Sequence, residues 1–157
     1  MVELRKLFHH ELDEVVQEMQ RLAATVIENI PRATQVLLDQ DMEGAEYLIM
    51  ADDELDARCI ELEDRCYELL ALQQPVAGDF RQIIATVRMI AEVERSGDLC
   101  VNICKAARRI YGHELDPKLR GYMSKMGEQA QTLYREAMEA YSAKDGALAA
   151  AIDERIE

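Results

Sequence analysis

From Leu4 to Leu37 an apolar residue returns at every third or fourth position: Leu4, Phe8, Leu12, Val15, Met19, Leu22, Val26, Ile30, Ala33 and Leu37. That spacing lays them along one stripe of a helix and suits no strand. Only Pro31 interrupts the run, which predicts a kink or a local break there. The same period recurs further on. Three prolines and seven glycines in 157 residues leave few places to turn, so the chain reads as all-α, an antiparallel three-helix-bundle repeat. Helices are predicted over 3–38, 42–73 and 80–111, with a fourth starting at Asp116-Pro117 and a fifth at Asp145. Asp41, after the turn Asp39-Gln40-Asp41, and Asp79 read as N-caps, and Gly112 as the close of the third helix. The second helix must stop before Pro75, while Asp116 followed by proline is a strong start signal.

The pattern repeats with an offset of 104: Met19, Leu22, Ala33, Asp41, Ala45 and Leu48 match Met123, Met126, Ala137, Asp145, Ala149 and Ile152. Residues 1–113 therefore form one three-helix unit, and 114–157 restart it with a first helix and the beginning of a second. The fourth helix has the stripe Met123, Met126, Ala130, Leu133, Ala137, Tyr141. Without a third helix, the second unit leaves an apolar face that either belongs to a longer protein or packs on another chain; the first is the expectation.

Two helices carry acids where the stripe calls for apolar groups. In the second helix, Asp52 falls in the seam Ala45, Leu48, Leu55, Cys59, Leu62, Cys66, Leu69, with Asp56 one turn on. In the third, whose stripe runs Phe80, Ile83, Val87, Ile90, Val101, Cys104, the intruders are Glu94 and Asp98. A carboxylate in an apolar seam is costly unless neutralised, paired or bound to a cation. Reflecting the numbering about residue 75 sets position 54 level with position 96, so the two pairs face each other across an antiparallel hairpin, with Gly97 opposite the layer of Leu55. Four such oxygens suit iron, manganese or magnesium. The plainer reading is a solvated acidic face, with Arg58 and Arg95 near enough to pair with some of the acids. Asn102, Glu11, His9 and His10 are weaker candidates for the same shell. Arg81, Arg88 and Arg95, seven apart, make a basic stripe.

A net charge of −13 disfavours nucleic acid and anionic lipid as partners. No apolar run approaches the ~20 residues of a transmembrane helix, and residues 1–30 alternate charged and apolar groups unlike a secretory leader. Cys59, Cys66, Cys100 and Cys104 read as buried reduced thiols of a cytoplasmic protein, although Cys100 and Cys104, one turn apart, could ligate a soft metal.

Taken together, Phe8-His9-His10-Glu11-Leu12, Asp52-x-x-Leu55-Asp56, Leu70-Ala71-Leu72-Gln73-Gln74-Pro75-Val76-Ala77 and Glu94-Arg95-x-Gly97-Asp98 with Asn102 resemble the PhoU family of phosphate-uptake and phosphate-signalling regulators. The resemblance implies a non-enzymatic, metal-binding protein built from two three-helix repeats. Its metal ligands would be Asp52, Asp56, Glu94 and Asp98, holding iron, manganese, magnesium or zinc. It implies a cytoplasmic negative regulator of the phosphate-starvation response, acting through the transporter's ATP-binding subunit and a membrane sensor histidine kinase, and meeting the membrane only through them. A homodimer is expected. The chain departs from the family pattern in length. Asp153 and Glu157 resemble a further DxxxD element but sit three residues out of the internal register. Two other readings stand beside it. A ferritin-like di-iron carboxylate oxidase needs Glu-x-x-His, yet Lys6, Leu7 and Ile110 stand three before the histidines. A purely structural helical interaction module would have its acids satisfied by arginines.

Overall fold

The computed structural model describes residues 2–73 and 75–156; Glu157 and the side chain of Leu4 lie outside the described residues. Five helices follow in order, α1 (Val2–Asp39), α2 (Met42–Gln73), α3 (Ala77–Arg109), α4 (Pro117–Ala143) and α5 (Gly146–Ile156). α1, α2 and α3 pack on one another, α4 lies along α1, and α5 touches α4.

The caps read from the sequence hold at three places. An Asp41 carboxylate oxygen accepts from the Gly44 N–H at 3.0 Å, Asp116 from Lys118 and Leu119 at 2.9 and 3.2 Å, and Asp145 from Ala147 and Leu148 at 3.0 Å each. Asp116→Ala is expected to cost about 0.5–1 kcal/mol in a urea melt. The offset of 104 is also written in the backbone. Among the described residues, Gln40 and its counterpart Lys144 are the non-glycine residues with positive φ, 54° and 53°, each just past a helix end.

Four expectations are corrected. Of the kink or break read at Pro31, the break does not occur, since α1 runs through it. Proline cannot donate to the carbonyl of Ile27, one turn back, but Gln131 of α4 does so at 3.0 Å, so the orphaned acceptor is satisfied from outside the helix. Gln131→Ala should therefore lower stability by about 1 kcal/mol; an unchanged denaturation midpoint would show that water replaces the amide at no cost. Asp79 does not cap α3, which starts at Ala77 after the extended Val76, so the carboxylate sits in the first turn, where it complements the helix dipole. Phe80, placed in the seam by pattern, is exposed. The α4 stripe is covered only in part. Met138 and Ala140 are buried, and the Tyr141 hydroxyl meets the Thr86 hydroxyl of α3 at 2.7 Å, whereas Met126 is 67% exposed and Ala130 and Ala137 also face outward.

The core divides into two blocks. One holds Phe8 to Val26 of α1 with Leu55, Cys59, Leu62, Ile83, Ile90 and Val93; the other holds Ala33, Val36, Ala45, Leu48, Cys100, Cys104 and Ala107. Between Leu48 and Leu55 on α2, and between Val93 and Cys100 on α3, fall Asp52 and Gly97. The acids thus interrupt the packing at a single level of the bundle. All four cysteines are free and buried.

Candidate metal centre

The four acids come from facing turns of α2 and α3, as the mirror numbering requires; Asp52, Asp56 and Glu94 are half-buried, whereas Asp98, placed in the seam by pattern, is exposed. The two helices meet closely at Gly97. A methyl group built there would stand 2.6 Å from Leu55 Cδ2 and 2.7 Å from Asp52 Oδ1. Glycine is what lets the Asp52 carboxylate lie against the α3 backbone.

Desolvation and mutual repulsion dominate the electrostatics. Burial, then the charges of Asp56, Asp98, Asp53 and Glu94, push the Asp52 carboxyl from 3.8 up to about 6. Asp56 is also raised, by burial first and then by Asp98 and Asp53, and its Oδ1 is buried with no hydrogen-bond partner. An orphaned buried carboxylate oxygen calls for a proton or a cation. Cys59 and Cys100, read from the pattern as core thiols only, line the inner side of this layer. Burial lifts both to about 11; Asp56, Glu94 and Asp52 add to the effect on Cys59, Cys104 and Asp52 to that on Cys100.

The arginines that might have neutralised these acids are engaged elsewhere or lie apart. Arg58 turns to α1, donating through Nε and Nη2 to Glu18 at 3.2 and 2.6 Å, and draws the Glu18 pKa down. Among the described residues, Arg95 makes no ion pair. The weaker candidates do not join the cluster. His10 pairs with Glu14 at 3.6 Å, and Glu11 lines a cleft with Glu14, Arg65, Glu68 and Leu72 near the far end of α2. Asn102 and Asp153 are exposed. As the side chains stand, no three His, Cys, Asp or Glu residues among those described converge on one point. The donor set nevertheless fits a hard cation: four carboxylates, one buried oxygen unpartnered, and a glycine that lets Asp52 lie against the backbone of α3.

An all-helical bundle whose seam is broken at one level by facing carboxylates defines a narrow class of proteins. The PhoU domain family matches residues 19–107. The PhoU homolog 1 of Mycobacterium leprae, a phosphate-specific transport system accessory protein, is 33% identical over 153 residues, covering 97% of this chain and 69% of that protein. Homolog 2 of Mycobacterium tuberculosis is 34% identical over 152 residues, 96% of this chain and 71% of its own. The crystal structure of PhoU from Pseudomonas aeruginosa superposes with a TM-score of 0.86 at 26% identity, over 92% of this chain and 69% of that one. The chain belongs to the PhoU family.

Proposed function

We propose that this protein is a metal-binding regulator of phosphate transport. Its relatives are named as accessory proteins of phosphate-specific transport systems, which supports a regulatory rather than catalytic part in that process. The observation that carries the metal reading is the Asp52 carboxylate lodged against Gly97 beside the unpartnered Oδ1 of Asp56. Asp52, Asp56, Glu94 and Asp98 would hold the ion, whether iron, manganese, magnesium or zinc. Its positive charge neutralises the acids and ties α2 to α3. In this reading the protein acts in the cytoplasm as a negative regulator of the phosphate-starvation response, docking on the transporter's ATP-binding subunit and on a membrane sensor histidine kinase.

The test is elemental analysis of the purified chain beside Asp52→Ala/Glu94→Ala, together with binding to the isolated ATP-binding subunit. Metal bound by the wild type and lost from the variant, with weaker partner binding, is the expected result. Equal metal content and equal partner binding in the two proteins would sink the proposal.

A further inference from the structure

The buried face of α3 repeats every seven residues. Ile83, Ile90, Gly97 and Cys104 form one row and Thr86, Val93, Cys100 and Ala107 the other, all of them buried. That is the period of a supercoiled seam, so any row with the same spacing keeps its bearing to the core along the whole helix. Arg81, Arg88, Arg95, Asn102 and Arg109 are such a row, and all are exposed. They stand at the position of the heptad farthest from the seam, on a line about 42 Å long.

This spine is unlike the rest of the molecule. The chain has a net charge of −13, and α2 has ten acids against two arginines, yet α3 has six bases against four acids. Among the described residues, none of the four arginines of the spine enters an ion pair, although Glu92 and Asp98 lie one turn to either side of Arg95. The outer face of a surface helix is ordinarily polar throughout. Here five of the eight positions that flank the spine between Arg81 and Arg109 are apolar. Ala85, Ala91 and Leu99 are exposed, the leucine to 55%, and Ile84 and Ala106 are half-buried.

Guanidiniums at seven-residue intervals, with small apolar groups between them, make one half of a helix–helix interface. The alanines let the backbone of a second helix come near, while the arginine stems and Leu99 supply apolar surface. Each unpaired guanidinium offers a fork to a carboxylate. A flexible polyanion would meet the arginines but leave Leu99 and the alanines uncovered. We propose that the outer face of α3 docks an amphipathic helix of another protein, one that presents carboxylates every seven residues between small apolar side chains. The inference goes beyond the regulatory reading and does not rest on ion binding. None of the arginines is a ligand, and of the four acids of the candidate metal centre only Asp98 borders this face.

Fluorescence anisotropy in chelator tests it. The probe is a labelled helical peptide of about four heptads, with glutamate at one position of every heptad and alanine or leucine beside it. Saturable binding by the full chain that weakens as salt is added is the expected result. Arg81→Glu/Arg88→Glu should weaken binding by roughly tenfold or more. Helicity should stay in place, since both side chains are exposed. Lysine in place of the glutamates at one end of the peptide should restore binding to this variant. Leu99→Ser should weaken binding too, whereas Lys125→Glu/Arg135→Glu, the same change of charge on exposed positions of α4, should leave it intact. The proposal fails if the peptide does not bind, if lysine rescues at neither end, or if the α4 pair does as much harm as the α3 pair. It fails equally if a peptide of the same composition, with its glutamates gathered at one end, binds as tightly.

Discussion

Gly97→Val will lower the stability of the ion-free protein by about 2–3 kcal/mol. A β-carbon at this position already stands 2.6 Å from Leu55 Cδ2, and Leu55 is only 2% exposed, locked in the core beside Cys59 and Leu62. The valine methyls must therefore push α2 and α3 apart or drive Leu55 off its rotamer. Asp52 can rotate away from its own 2.7 Å contact, but in doing so it leaves the carboxylate layer. Loss of ion binding should accompany the loss of stability. Gly97→Ala is the milder probe, because alanine regains about 1 kcal/mol of helix propensity against its smaller overlap. Urea melts in chelator check both, and a valine variant with an unchanged midpoint would mean that the helix contact yields without cost.

Asp52→Asn should do the reverse, raising stability at pH 7 in chelator by about 1 kcal/mol. The folded protein holds the Asp52 proton up to about pH 6, while the unfolded chain releases it near 3.8. Folding takes up a proton between those values, so the penalty from this group is fully present above pH 6, declines as pH falls, and is gone below about 4. The full displacement is equivalent to about 3 kcal/mol. Asp52 is only half-buried, and solvent screening reduces this to about 1–2 kcal/mol. The asparagine variant should flatten the stability profile between pH 4 and 6. Divalent ions should stabilise the wild type and leave the variant nearly unmoved. A variant less stable than wild type in chelator would show that the Asp52 charge holds the fold together rather than straining it.

Much of this architecture is legible in the sequence because it rests on local rules. A carboxylate at a helix start satisfies its own neighbours, so Asp41, Asp116 and Asp145 announce themselves. The meeting of Gly97 with Leu55 follows from antiparallel numbering alone. What pattern could not supply are contacts between elements far apart in the chain. Nothing near Pro31 signals that Gln131 will cover the Ile27 carbonyl. Nothing in the spacing of Arg58 says that it will choose Glu18 over the seam acids. Phe80 is hydrophobic and in phase, yet the start of α3 at Ala77 puts it in the end turn, where no neighbouring helix reaches it. The α4 stripe misleads for a similar reason, since periodicity names an apolar face without saying what covers it.

The bond from Gln131 to the Ile27 carbonyl joins residues that are 104 apart, the spacing of the repeat itself, so each is the counterpart of the other. The neighbouring contacts fall symmetrically about it. Gln20 bonds Ser142, the counterpart of Leu38, and at the other end Arg120, the counterpart of Val16, bonds the Leu38 carbonyl. Subtracting the repeat turns the α1–α4 contact into a helix crossing its own image about a local dyad near Ile27. Such a crossing has the form of the contact between two identical units related by a two-fold axis. Because α1 and α4 belong to one chain, this crossing forms at a local concentration set by the connecting segment and not by how much protein is present.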